Sequence, residues 1–313
     1  MSRNSMISEC NRNNEKNRNV VQSKYLSMKQ FWQNASGSFL ISGDAQGMEE
    51  ERRRMLLSAL QHCEQLAWGN VVILHQDEEL EEDLIRLVQE GTLPRKLVVI
   101  SEKYRNYHVF YNMDKMDVIN CIHKTGTYLR YSNMAGVDTY GQAFLEILNS
   151  MYTISLPAMM SMAELNDERI LELAVKQGVS EYWIQQLKGS SIADSDNFRL
   201  LIRQIYNAME KITTRECETG FTISSAVGQN QILCIHMKSR DNAVMNICIG
   251  AELQELPGRQ TKIILDNISL CSEDGLWDIL NDFNKRDGNC LGICGADVNE
   301  SGIRGNGEAL KHR

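Results

Sequence analysis

A chain of 313 residues with 42% hydrophobic and 24% charged side chains has room for two domains or one large core with an insertion, and is too balanced for a fibrous or wholly disordered polypeptide. A net charge of −8 and a pI near 5.4 argue against DNA binding by the chain alone, because phosphate neutralisation needs concentrated Lys and Arg. Nine scattered cysteines, no signal segment and no apolar run near the roughly 20 residues of a bilayer span lead us to expect a cytoplasmic protein with reduced thiols and no membrane insertion.

Residues 1–24 are rich in Asn, Arg, Ser and Glu and read as a disordered leader. Phe39-Leu40-Ile41 then predicts a strand, Ser42 to Gly47 a glycine-bearing turn, and Met48 to Trp68 a helix. Val71 to Leu74 and Leu97 to Ile100 are short β-branched runs suited to strands buried on both faces, with an acidic amphipathic helix between them from Asp77 to Gln89. Asp114 to Leu129 and Tyr140 to Met151 read as further helices and complete the first α/β part, 25–157.

Strand signals vanish from Ala158 to Lys211, where Ile170, Leu171, Leu173 and Ala174, then Leu200, Leu201, Ile205 and Met209, recur at helical spacing. We assign 158–215 to a helical insertion. The second α/β part, 216–298, carries the strand-like runs Phe221–Ser225, Gln231–Met237, Met245–Ile249, Thr261–Leu265 and Cys290–Cys294. Residues 299–313 are polar and glycine-containing and read as a flexible tail. Alternating strands and helices predict an α/β fold with a mostly parallel sheet flanked by helices, in which Phe39–Ile41 and Ile263–Leu265 are adjacent or near neighbours.

The turn after the first strand stands where a phosphate-binding loop would stand. Aligning Gly43 with the first glycine of G-x-x-x-x-G-K-[ST] runs the loop through Asp44, Ala45, Gln46 and Gly47, and puts Met48, Glu49 and Glu50 where Gly, Lys and the magnesium-binding hydroxyl belong. An acid in the lysine place repels the phosphate that the lysine would hold. The bland reading is a strand-to-helix turn shaped by Gly43 and Gly47.

A second element, Lys262-Ile263-Ile264-Leu265-Asp266-Asn267, has the form of a Walker B strand, an apolar run closed by an acid that holds magnesium. Active hydrolases usually follow that Asp with a Glu that orients water; Asn267 cannot act as a base. An acid capping the next turn would give the same pattern.

Taken in order, the degenerate loop, sheet, helical insertion, Leu265-Asp266, the helix with Leu276, Trp277, Ile279 and Leu280, and the final strand resemble the conjugative coupling-protein and type IV secretion ATPase family. Lys285-Arg286-Asp287-Gly288 before Leu291-Gly292-Ile293, and Phe110-Tyr111-Asn112-Met113-Asp114 leading into a helix, add to the resemblance, which spans roughly residues 38 to 298. It implies a RecA-like P-loop NTPase core with an inserted all-helical subdomain. In that family an intact loop and acid pair hydrolyse ATP in a ring of subunits. The departures at Met48, Glu49, Glu50 and Asn267 leave no catalytic residue to assign and no cofactor expected beyond weak ATP or magnesium binding. The resemblance implies protein partners, among them homologous ATPase subunits, and is compatible with an oligomer.

Three other features have plainer readings. Cys234 and His236 share one side of a strand, as a nucleophile and base would, but read as a core cysteine beside a satisfied histidine. Cys271, Cys290, Cys294 and His236 lack paired C-x-x-C knuckles, which argues against zinc. Arg52-Arg53-Arg54 fan around a helix and suit a solvated surface or a partner's acidic patch. The leading expectation is a non-catalytic structural or regulatory subunit. An active ATPase motor with unorthodox residues and a nucleic-acid-binding module without ATPase activity are the alternatives.

Overall fold

The computed structural model describes residues 39–42, 48–66, 68–214, 220–228, 231–237, 243–254, 261–266 and 290–295. The leader 1–24, the loop Gly43 to Gly47, Asn267, the helix expected around Leu276 to Leu280, Cys271 and the tail 299–313 lie outside the described residues.

The first half alternates as β1 (Phe39–Ser42), α1 (Met48–Gln61), β2 (Val71–His75), α2 (Glu78–Gln89) and β3 (Leu97–Ile100). Then come α3 (Lys115–Tyr128), α4 (Met134–Asn149), α5 (Leu156–Ala163), α6 (Asp167–Lys176), α7 (Glu181–Gly189) and α8 (Ile192–Met209). The strands resume after α9 (Ile223–Gly228) with β4 (Ile232–His236), α10 (Ala243–Gln254), β5 (Lys262–Asp266) and β6 (Cys290–Gly295). Side-chain caps start several helices where the sequence supplies an acceptor: Asp77 takes the Glu79 amide at 3.0 Å, and Ser191 and Asp194 form a reciprocal capping box at α8.

Among the described residues all strands are parallel, in one six-stranded sheet of order β1-β6-β5-β2-β4-β3. β6 stands between β1 and β5, which makes Phe39–Ile41 and Ile263–Leu265 near neighbours, as expected. Strand side chains alternate between faces, and here each face is covered. Val71, Ile73, Val99, Ile232, Cys234 and Ile264 pack with Leu56 and Leu60 of α1 and Leu80 and Leu84 of α2. Val72, Leu74, Val98, Leu233, Ile235, Ile263 and Leu265 pack on the other face, in a core shared with α3, α4, α8 and α10. Each such aliphatic side chain contributes roughly 1.5–3 kcal/mol by leaving water.

Two strand assignments are corrected. Phe221–Ser225 forms no strand: Phe221 makes an isolated bridge to Tyr107, and Thr222 and Ser225 exchange side-chain bonds with each other's amides at 3.0 Å, which starts α9. Met245–Ile249 lies inside α10. Met245, Ile247, Cys248, Ile249 and Leu253 are all buried there, so the helix has little polar face to betray its period and its apolar run mimics a strand.

Candidate functional site

At the carboxyl edge of the sheet, β2, β4 and β5 end in register on His75, His236 and Asp266. Their parity puts all three on the face covered by α1 and α2. Carboxyl edges of open parallel sheets are where such folds bind ligands.

Arg52, in the second turn of α1, reaches this edge. Its Nε donates to Oδ1 of Asp266 at 2.9 Å, and a terminal nitrogen lies 4.0 Å from Oδ2 of Asp77. Both partners are buried, with 7% of Arg52 and 2% of Asp266 exposed. Burial pushes the Asp266 carboxyl up to about 6, against the pull of Arg52 and with a further rise from Asp77. Arg53 is ringed by Asp77 at 3.2 Å, Glu79 at 2.5 Å and Asp83 at 3.1 Å; burial opposes its charge, but Asp77 and Glu79 outweigh burial and raise its pKa.

The arginine triplet is therefore not a solvated surface. Arg54 alone is exposed, paired with Glu50 at 3.0 Å one turn earlier, while Arg52 and Arg53 turn inward. The cause lies in α2, whose cap and first turns set Asp77, Glu79 and Asp83 against α1. Glu50, aligned in the sequence with the hydroxyl position, is engaged in an exposed ion pair, and Met48 and Glu49 belong to the first turn of α1.

His75 and His236 stack with ring centroids 5.0 Å apart. His75 Nδ1 donates to the carbonyl of Asp77 at 2.9 Å, and its buried Nε2 has no partner among the described residues. Burial, reinforced by His236, lowers His75 to about 4. His236 Nδ1 lies 3.9 Å from Glu81, which in turn accepts from the Ser101 hydroxyl at 3.3 Å. Cys234 is fully buried, and burial, Glu81 and Asp266 drive its thiol well above the usual range, which leaves a protonated core side chain. Among the described residues no three His, Cys, Asp or Glu side chains converge to hold a metal ion.

Asp266, read in the sequence as a Walker-B-like acid, ends β5 at the carboxyl edge of the sheet, and its Oδ1 accepts from an arginine of the same chain. Sequence reasoning missed Arg52 as that donor, and it missed His75, Asp77 and Glu81. The histidines had a visible signal: Leu74-His75 and Ile235-His236 both close apolar strands with the same residue.

No family model matches the sequence, and no curated protein matches it. Among described residues no helix is long and apolar enough to cross a membrane. Among solved structures the chain is similar to the bacterial conjugative coupling protein TrwBdeltaN70, in a trigonal form in complex with sulphate. The likeness covers 97% of this chain and 74% of that one, at 13% identity and a TM-score of 0.52. The chain has an α/β fold like that of the conjugative coupling protein, with a parallel sheet flanked by helices.

Proposed function

We propose that the protein is a non-catalytic P-loop ATPase homologue that acts through protein contacts, as a structural or regulatory subunit of a translocase- or secretion-type assembly. The observation that carries this reading is the buried Arg52–Asp266 pair at 2.9 Å. A P-loop hydrolase needs that carboxylate free to hold magnesium. Here a fixed guanidinium supplies the positive charge from within, so the edge of the sheet is electrostatically satisfied without Mg-ATP. Glu49 in the lysine place adds repulsion toward phosphate. The likeness to a coupling protein supports the translocase context, with homologous ATPase subunits as the partners that the shared fold favours.

Calorimetry with Mg-ATP on the full chain tests the reading. The expected result is binding too weak to saturate below millimolar nucleotide; a micromolar dissociation constant, or any ATP turnover above that of Asp266→Asn, overturns it in favour of a motor. Tight DNA binding that weakens steeply with salt would instead favour a nucleic-acid module.

A further inference from the structure

Cys121 of α3 and Cys248 of α10 face each other in the core on the helical side of the sheet, both fully buried. The Cys121 thiol donates to Sγ of Cys248 at 3.7 Å, although the two residues stand 127 apart in the chain. Cys63 and Cys234, also free thiols, lie in the core of the opposite sheet face. α3, α8 and α10 pack on one another in pairs, so the packing of the folded chain, rather than a local motif, sets the two sulphurs in contact.

An S–S bond is ~2.05 Å long, so closure asks each sulphur to move by less than about 1 Å. Holding two thiols in contact turns a bimolecular step into an intramolecular one and raises the effective concentration of each at the other. The seated pair does not start the exchange. The facing Cys121 thiol and burial drive Cys248 well above the usual thiol range, Glu252 adds to the rise, and only a thiolate attacks a disulfide. The opening step therefore belongs to the folding chain, before α10 is seated on α3.

We propose that Cys121 and Cys248 form a disulfide staple between α3 and α10 when the chain folds in the presence of a low-molecular-weight disulfide of the glutathione class. The Cys121 thiolate attacks the small disulfide, whose S–S bond breaks; Cys121 keeps one half as a mixed disulfide, and the other half leaves and takes up a proton. As α10 docks, the Cys248 sulphur displaces the remaining half, the bond between the two cysteines forms, and the Cys248 proton passes to the leaving thiolate. Two protein thiols are oxidised, and one small disulfide is reduced to two thiols. The loop so closed contains α4 to α9 and β4, so the staple ties the helical body to the second half of the sheet. Closing so long a loop restricts the unfolded chain and favours the folded one. Once seated, the bond is shielded from small thiols by the burial that shields the two thiols themselves.

The test is refolding of the full chain from guanidinium in a buffer of glutathione disulfide and glutathione, then alkylation of the remaining thiols and non-reducing peptide mapping by mass spectrometry. The Cys121–Cys248 pair should be the most abundant cross-link. Its equilibrium constant against glutathione should be at least tenfold higher than in the same chain held in guanidinium. The oxidised protein should melt at a higher temperature than the reduced protein, and Cys248→Ala should abolish both the cross-link and that difference. If that variant does not fold, the cross-link map and the equilibrium ratio of the unsubstituted chain decide alone. A different cross-link in first place, a ratio below tenfold, or no rise in melting temperature on oxidation overturns the proposal. No nucleotide takes part in this experiment, so its outcome is independent of the reading of the Asp266 edge.

Discussion

The imidazole of His75 lies nearly parallel to that of His236, 15° off, across the register of β2 and β4. His75, lowered to about 4 by burial and by the neighbouring His236, stays neutral in the folded protein while an unfolded chain protonates it near 6.5. The unfolded state therefore binds more protons between those values, and stability is retained above pH 6.5 and lost as pH falls toward 4. A loss on the order of 2–3 kcal/mol across that window is expected from His75. His75→Phe should flatten it in denaturant titrations at stepped pH, and the ring signals of His75 should not shift between pH 5 and 8.

Glu252 acts in the opposite sense. Burial pushes it up to about 7, against the neighbouring Tyr107 hydroxyl and the amides of Ile223 and Phe110, so its contribution is intact below about 4.5 and lost as pH rises through 7. Glu252→Gln should raise stability at pH 8 and change it little at pH 4.5, read by the shift of the urea midpoint.

Removing one member of the Arg52–Asp266 pair strands the other in a buried place. Arg52→Met should cost about 3–5 kcal/mol, while Arg52→Met with Asp266→Leu should recover most of it, because an apolar pair avoids the desolvation of both charges. A double-mutant cycle in guanidinium measures this directly, and additive effects would show that the two side chains do not interact.

Repair of the proposed phosphate loop should separate binding from turnover. Met48→Gly with Glu49→Lys acts on phosphate in the ground state and should tighten fluorescent-nucleotide binding. Adding Glu50→Thr and Asn267→Glu should still give no hydrolysis while Arg52 holds Asp266. Turnover in the four-site variant with Arg52 intact would count against the role given to that pair.

Gly141 and Gly189 make a matched contrast. A Cβ on Gly141 would meet the Phe198 ring at 2.5 Å and Ile119 at 2.8 Å, inside the cluster where Phe198 also packs on Tyr140 and Phe144. Gly141→Ala should lower stability by about 1–2 kcal/mol despite the better helix propensity of alanine. Gly189, at the end of α7 with nothing within 4 Å of its Cβ, should gain about 0.5 kcal/mol on the same change. Thermal melts of the two variants report the signs.

How legible the molecule was depended on where each constraint came from. Val71–Leu74 and Leu97–Ile100 were readable because β-branched residues in short runs between turns leave few other options. α10 was not, since burial on nearly every side erases the period that marks a helix, and its neighbours α3, α8 and α9 decide its state. Asp266 was visible as an acid closing an apolar strand. Its partner was not: Arg52 stands 214 residues away, and a triplet of arginines carries no sign of which one turns inward. The acids that decide it, Asp77, Glu79 and Asp83, read along the chain only as the polar side of an amphipathic helix.

The sheet order has a bearing on how the chain is made. None of β1, β2 and β3 pairs with another of the three; β1 borders β6, β2 lies between β5 and β4, and β3 borders β4. Every ladder bond of the first half waits for a strand that follows the helices from Lys115 to Met209. On the ribosome, Val71-Val72-Ile73-Leu74 and Leu97-Val98-Val99-Ile100 emerge as unpaired apolar segments, while α3 to α8, joined by local contacts, are free to assemble first. Parallel pairings across so long a loop are slow to close. The newborn polypeptide therefore passes through a stage in which a formed helical body carries two sticky, strand-ready segments ahead of it, and its yield in a cell rests on how well those segments are shielded until β4 arrives.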